Sequence, residues 1–244
     1  MAAVRRGVEG RLAERARVGP ASPVAEQDWS RGWRAHHRPL EISPRLAIQP
    51  SFARAPVRPG QEVLVIDPGQ AFGTGSHAST RLILELLAGP LCRLLPGSEV
   101  LDAGTGSGVL ALAALRLGAR RVVAFDLDPL AAAEARRNAL GNGLAAGLQL
   151  FTGPAQALRG SFDLVVANLL RGELEPILPT LTEQLGSSGA LVLSGLLEAE
   201  EAPVRAALAE LGLLRVEARR SGDATGDRWL ALMARRAPGP ASRR

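Results

Sequence analysis

The 244-residue chain contains no lysine and no tyrosine, so all 29 of its basic residues are arginines. Arginine never loses its charge, which raises the isoelectric point to about 11.1 without adding positive charge at pH 7. The formal net charge is only +5, and adjacent arginines occur as scattered pairs rather than as a basic run interleaved with aromatic residues. This distribution does not favour a nucleic-acid-binding protein, and we expect no stable binding of nucleic acid.

Cysteine and long apolar runs are also scarce. The single cysteine, Cys92, cannot form an intramolecular disulfide, and one cysteine with three histidines does not provide a metal-ligand pattern. No stretch reaches the roughly 18 apolar residues of a membrane span, and the N-terminus lacks the apolar segment of a signal peptide. We therefore expect a cytoplasmic protein without membrane association or a bound metal. The sequence does not determine the oligomeric state, and a monomer is favoured.

After residue 60, short β-rich runs alternate with Ala- and Leu-rich helical stretches. Several of the strands are continuous apolar runs, which are typical of a parallel sheet covered on both faces, so the predicted fold class is doubly wound α/β. The predicted strands are residues 63–66, 100–102, 122–125, 148–151, 164–167, 190–194, 213–218 and 229–234. The predicted helices are residues 77–87, 108–117, 129–140, 173–185 and 198–211.

Composition divides the chain into four expected segments. Residues 1–27 are rich in Ala, Arg, Gly and Pro and are predicted to be a flexible N-terminal extension. Residues 28–59 form a predicted linker, residues 60–236 the α/β domain, and residues 237–244 a disordered tail.

A glycine-rich turn follows the predicted strand at residues 100–102. It reads D-x-G-x-G-x-G from Asp102 to Gly108 and leads into an Ala/Leu-rich helix. Ligands of open α/β sheets bind at the carboxyl ends of the strands, where glycines let the backbone approach them closely. Asp126 ends the next strand, 22 residues after Gly104, where a carboxylate can accept hydrogen bonds from both ribose hydroxyls. These features predict a nucleoside site.

The glycine spacing distinguishes two nucleoside cofactors. The dinucleotide fingerprint G-x-G-x-x-G has a third glycine five residues after the first, but residue 109 is Val. S-adenosylmethionine (AdoMet) carries a cationic sulfonium and no phosphate, so carboxylates and carbonyls suit it better than a phosphate cradle. The acidic Asp102, two residues before Gly104, makes the pattern similar to motif I of class I AdoMet-dependent methyltransferases. AdoMet is therefore favoured over NAD.

Three further segments make the resemblance specific. Residues 67–77 read D-P-G-Q-A-F-G-T-G-S-H, residues 126–129 read D-L-D-P, and residues 167–170 read A-N-L-L. They resemble signatures of the PrmA family, which methylates the eleventh protein of the large ribosomal subunit. The resemblance covers about residues 28–235. It implies a Rossmann-like methyltransferase domain with a mostly parallel seven-stranded sheet, AdoMet as cofactor, and methyl transfer to lysine amines of a ribosomal protein.

The resemblance also implies roles for individual residues. The family's AdoMet contacts fall on Thr80, Gly104, Asp126 and Asn168, and Phe72 would help to cover the cofactor. Gly106 and Asp102 join this cofactor-binding set as members of the glycine-rich turn.

Asn168 and His77 are the candidate catalytic residues. A lysine acceptor has an ordinary pKa of about 10.4, and it must become neutral before its lone pair can attack a methyl group. Burial and a neighbouring sulfonium both favour the neutral amine. The side-chain and backbone carbonyls of Asn168 would accept the amine hydrogens, and His77 would accept a proton or orient the substrate.

The sequence departs from the family before Asp28. Only 27 residues precede it, too few for the family's small substrate-recognition domain, so we expect most of that domain to be missing. The sequence therefore does not identify the protein substrate. One alternative is a lysine methyltransferase of another protein, such as the electron-transfer flavoprotein β-subunit. Others are a small-molecule or nucleic-acid N-methyltransferase and a non-catalytic AdoMet-binding protein. Residues 168–171 lack the N-P-P-Y step that stacks a flipped base, and the intact motifs disfavour a non-catalytic protein.

Overall fold

The computed structural model describes residues 37–67, 69, 72–223 and 226–236 of the chain. The strands there are β1 (Leu40–Ser43), β2 (Leu46–Gln49), β3 (Glu62–Val65), β4 (Glu99–Ala103), β5 (Arg121–Asp126), β6 (Leu148–Thr152), β7 (Phe162–Asn168), β8 (Leu185–Leu197), β9 (Arg215–Gly222) and β10 (Arg228–Arg235). The α-helices are α1 (Ala78–Ala88), α2 (Val109–Arg116), α3 (Pro129–Gly141), α4 (Arg171–Leu174), α5 (Leu178–Glu183) and α6 (Glu201–Glu210). The predicted extension at residues 1–27 and the predicted tail at residues 237–244 lie outside the described residues.

Seven strands form one sheet in the order β6-β5-β4-β7-β8-β10-β9. The first five are parallel, and β10 pairs antiparallel with both β8 and β9. The central strand β7 contains a completely buried apolar run, residues 164–167, as expected for a strand covered on both faces. The predicted doubly wound, mostly parallel sheet is confirmed.

Apolar helix faces cover the two sides of this sheet. On one side, α1 and α2 bury Leu82, Ile83 and Leu112 in a single cluster with the sheet. On the other side, Leu181 of α5 and Leu208 of α6 belong to a second cluster. Across the described ranges, no helix is both long enough and apolar enough to cross a membrane.

A second, smaller sheet joins residues on both sides of the predicted boundary between residues 59 and 60. The hairpin of β1 and β2 is antiparallel, and β2 pairs in parallel with β3. Leu46, Ile48 and Leu64 from this sheet are buried in the same cluster as α1 and α2. The short strands β1 and β2 were not among the predicted strands. The four-segment division of the chain stays a prediction.

The helix predicted at residues 173–185 is wrong in its middle. Pro176 has no backbone N–H and its ring excludes the carbonyl of the preceding turn, so α4 ends at Leu174. Helix α5 begins at Leu178, with Pro179 in its first turn, where a missing N–H costs nothing. The chain then enters β8 at Leu185. This break turns α4 into a separate short helix beside the carboxyl end of β7.

Candidate active site

A cleft of about 680 Å³ opens at the carboxyl ends of β4, β5, β7 and β8. This volume lies within the roughly 300–1,000 Å³ of small-molecule sites. Its walls come from the segment before α1, the glycine-rich turn after β4, the residues that follow β5 and β7, and the start of β10. Seven of the predicted site residues line it: Phe72, His77, Thr80, Gly104, Gly106, Asp126 and Asn168.

Gly106 lies where two backbone segments cross. Its φ is +54°, and a Cβ added there would lie 2.5 Å from the carbonyl oxygen of Phe72. The backbone N–H of Ser107 donates to that same carbonyl at 2.9 Å. A side chain at position 106 would therefore separate the turn from the segment that carries Phe72, which explains the glycine.

The carboxylate of Asp126 is oriented by the backbone on both sides. Its Oδ2 accepts the N–H of Gly106 at 2.9 Å, and its Oδ1 accepts the N–H of Asp128 at 3.0 Å. Each carboxylate oxygen can accept a second hydrogen bond. Asp126 thus faces the cleft with one acceptor position remaining on each oxygen, which fits a pair of ribose hydroxyls.

The amide of Asn168 is oriented by Thr80. The Nδ2 of Asn168 donates to Oγ1 of Thr80 at 2.9 Å, and Thr80 is itself buried on α1. This bond leaves Oδ1 of Asn168 buried without a hydrogen-bond partner among the described residues. An unpartnered buried oxygen costs about 1–3 kcal/mol. Asn168 lines the cleft, so the donor group of a ligand that reached this oxygen would satisfy it.

His77 lies at the N-terminus of α1 and caps it. Its Nδ1 lies 3.3 Å from the backbone nitrogen of Ser79 and 2.7 Å from the Ser79 hydroxyl oxygen. One ring nitrogen is thus engaged with α1. A part for His77 in proton transfer stays a prediction.

An aromatic row that the sequence did not reveal borders the same part of the cleft. The His77 ring makes edge contacts with Phe72 and with Trp229, at centroid distances of 5.3 Å and 4.5 Å. The indole Nε1 of Trp229 donates to the carboxylate of Asp223 at 2.6 Å. Trp229 was predicted only as a strand residue. A partly buried tryptophan needs a hydrogen-bond acceptor for its indole N–H. In the sequence, only that need could have indicated that Trp229 lies beside a polar site.

Asp102 is completely buried and does not line the cleft. Its Oδ2 accepts the hydroxyl of Thr105 at 2.7 Å and the N–H of Ala111 at 3.2 Å, which ties the glycine-rich turn to α2. Its side chain is therefore not on the cleft surface, and a part for Asp102 in cofactor binding stays a prediction. The same burial raises the pKa of Asp102 to about 6.

The raised pKa predicts a loss of stability with rising pH that a substitution can remove. The folded protein binds the Asp102 proton more tightly than the unfolded chain does, so stability falls as pH rises from the ordinary pKa of 3.8 to about 6. The ionised carboxylate then costs about 3 kcal/mol. Asp102→Asn removes that cost and keeps an oxygen that can accept from Thr105 and Ala111. It also places an amide –NH2 at Oδ1, which is buried without a hydrogen-bond partner among the described residues, at a cost of about 1–3 kcal/mol at every pH. We expect urea unfolding to show that the stability of the wild type relative to Asp102→Asn falls by about 3 kcal/mol between pH 4 and pH 8.

Asp163→Asn is the matched control for this experiment. The Asp163 carboxylate is exposed and accepts the N–H of Glu99, which an amide oxygen can replace. We expect it to show no comparable pH-dependent gain. A stability difference between the wild type and Asp102→Asn that stays the same from pH 4 to pH 8 would contradict the prediction.

The charge of the cleft differs from that of the chain. Its charged lining residues are Asp126, Asp128 and Glu173, and no arginine in the described part of the chain lines it. This holds although arginines outnumber acidic residues, 29 to 24, in the whole sequence. A cleft lined by one sign of charge concentrates ligands of the other sign. The cleft is therefore suited to cationic ligands.

Comparisons with known proteins point to one family. The family model described as "Ribosomal protein L11 methyltransferase (PrmA)" matches residues 9–237. A ribosomal protein L11 methyltransferase of Pelobacter propionicus is 46% identical over 218 residues, covering 88% of this chain and 69% of that protein. The protein of the same name from Geobacter metallireducens is 40% identical over 237 residues, covering 96% of this chain and 76% of its own. The match starts earlier than the predicted limit of the resemblance at residue 28.

Solved structures show the same likeness. The crystal structure of a ribosomal protein L11 methylase from Lactobacillus delbrueckii subsp. bulgaricus has a TM-score of 0.73 and 33% identity, covering 82% of this chain and 99% of that one. A magnesium protoporphyrin IX methyltransferase from Synechocystis PCC 6803, solved with bound SAM, has a TM-score of 0.53 and 22% identity. It covers 64% of this chain and 82% of its own, and it shows the shared fold only.

Proposed function

Because the chain belongs to the ribosomal protein L11 methyltransferase (PrmA) family, we propose that it transfers methyl groups from AdoMet to lysine amines of a ribosomal protein, with L11 as the first candidate. The predicted family, fold class and methyltransferase activity are confirmed by these relatives. The observation that carries the rest of the proposal is the unpartnered Oδ1 of Asn168 in a cleft whose charged lining residues are all acidic.

The described residues fit AdoMet as the cofactor. Asp126 has one acceptor position on each oxygen for the ribose, and Gly104 and Gly106 line the cleft beside it. The exposed ring of Phe72 lies at the rim, where it would cover the bound nucleoside. When bound, AdoMet supplies an electrophilic methyl group on a cationic sulfur.

Asn168 would orient the attacking amine. Its Oδ1 and its backbone carbonyl would accept the amine hydrogens, which directs the nitrogen lone pair toward the methyl group. The new N–C bond forms as the S–C bond breaks, and the bonding electron pair leaves with the sulfur. The acceptor loses one proton, to solvent or to His77. Most of the rate then comes from proximity and orientation.

The charge of the cleft disfavours a nucleic-acid substrate. Phosphates are held mainly by Arg and Lys, whereas the cleft presents carboxylates. Leu169, Leu170 and Arg171 also follow Asn168, in place of the Pro-Pro-aromatic step that stacks a base.

A labelling experiment tests the proposal. The purified protein is incubated with methyl-labelled AdoMet and, separately, with purified L11, with ribosomes, and with lysate of a strain that lacks its own L11 methyltransferase. We expect label on lysines of L11, located by peptide mass spectrometry, and none with Asn168→Ala. Label found only in RNA or in a metabolite would contradict a protein substrate. Label on another protein would contradict only L11.

A further inference from the structure

The sheet order divides the cleft into two halves. Asp126 ends β5, and β4 with its turn at Gly104 lies between β5 and β7, which ends at Asn168. A nucleoside bound at Asp126 and Gly104 therefore extends along the sheet toward Asn168. The space beyond Asn168 is lined by Gly195 of β8 and Trp229 of β10. This second half remains for the group that receives the methyl, and we call it the acceptor half.

Glu173 is the acidic residue associated with the acceptor half. It lies in α4, the short helix that follows β7, and it lines the cleft together with Leu170. Its side chain is exposed, and its Oε2 accepts the backbone N–H of Leu170 at 3.2 Å. The neighbouring Arg171 donates instead to Glu175 at 2.6 Å and does not line the cleft. The charge that α4 presents to the cleft is therefore negative.

We propose that Glu173 determines the preference of the acceptor half for a cationic side chain and draws the charged lysine of the protein substrate toward Asn168. This inference rests on the proposed function. Lysine reaches the cleft as an ammonium ion, and a carboxylate on its path raises the rate of productive encounter. Glu173 acts before the amine is neutral. It is a specificity-determining residue, distinct from the oxygen of Asn168 that receives the amine.

Glu173→Gln isolates the charge. Glutamine at the third position of a helix can still accept the N–H that Glu173 accepts from Leu170, so the local structure of α4 is kept. For an exposed carboxylate we expect the KM for the protein acceptor to rise about two- to fivefold at low ionic strength. The kcat and the AdoMet Kd stay unchanged. The difference disappears in 1 M salt, where the screening length is about 3 Å.

Glu183→Gln provides a matched control. Glu183 is the exposed last residue of α5, it does not line the cleft, and its replacement changes the net charge equally. We expect its acceptor KM to equal that of the wild type. An unchanged KM in Glu173→Gln, a change that persists in high salt, or an equal change in Glu183→Gln overturns the inference. If the wild type methylates no protein, the proposed function fails and the inference falls with it.

Discussion

An Asp126→Ala variant is expected to show no AdoMet binding by isothermal titration calorimetry. The substitution removes the acceptor positions that fit the ribose hydroxyls, and it also releases the backbone N–H groups of Gly106 and Asp128. Hydrogen bonds to a charged group contribute about 1.5–3 kcal/mol each. The loss of two therefore weakens binding by roughly a hundredfold or more.

Asp128→Asn is the control for this experiment. Asp128 also lines the cleft, but its Oδ1 caps α3 by accepting the N–H of Leu130 at 2.8 Å, and asparagine caps helices equally well. We expect an AdoMet Kd close to that of the wild type. An Asp126→Ala protein that is folded by circular dichroism and binds AdoMet with unchanged affinity would refute the ribose assignment.

An Asn168→Ala variant is expected to lose methyl transfer far more than cofactor binding. Removing one preoriented polar group at a reacting centre typically lowers kcat by about 10²–10³. We expect a loss of that size in single-turnover methylation of the protein acceptor, with an AdoMet Kd raised by no more than about tenfold. A decrease in kcat smaller than the increase in Kd would show that Asn168 serves only the cofactor.

Thr80→Val tests, in the same assay, how much the orientation of the Asn168 amide contributes to methyl transfer. It removes the hydroxyl oxygen that accepts from Nδ2 of Asn168 but leaves the Oδ1 in place. We expect an intermediate loss of kcat, because the amide can then rotate. A Thr80→Val enzyme as active as the wild type would show that the amide is oriented by other contacts.

The residues best predicted from sequence lie at the ends of parallel strands. Asp126 and Asn168 end apolar runs that could only be central strands, and the carboxyl ends of parallel strands meet at one edge of a sheet. Their approach to the same cleft was therefore expected. Asp102 shows the limit of this reasoning. It precedes the turn by the expected spacing, yet its side chain is buried away from the cleft, and spacing does not report which way a strand residue points.

Other features depended on contacts between distant segments. Trp229 meets His77 only because β10 is inserted beside β8, which a list of strands in chain order does not show. The hairpin strands β1 and β2 were missed because they lie in a stretch interrupted by prolines, and in β1 only Ile42 is buried. The break at Pro176 was missed because the apolar residues around it keep a helical period across the proline.

The position of β10 has a consequence for the nascent protein. This strand, Arg228–Arg235, comes after β9 in the chain but pairs between β8 and β9. While the chain emerges from the ribosome, β8 has an unpaired edge and the Trp229 wall of the cleft is absent until β10 has emerged. A chain stopped before β10 would expose that edge to aggregation. The cleft is therefore complete only after β10 has been inserted between β8 and β9.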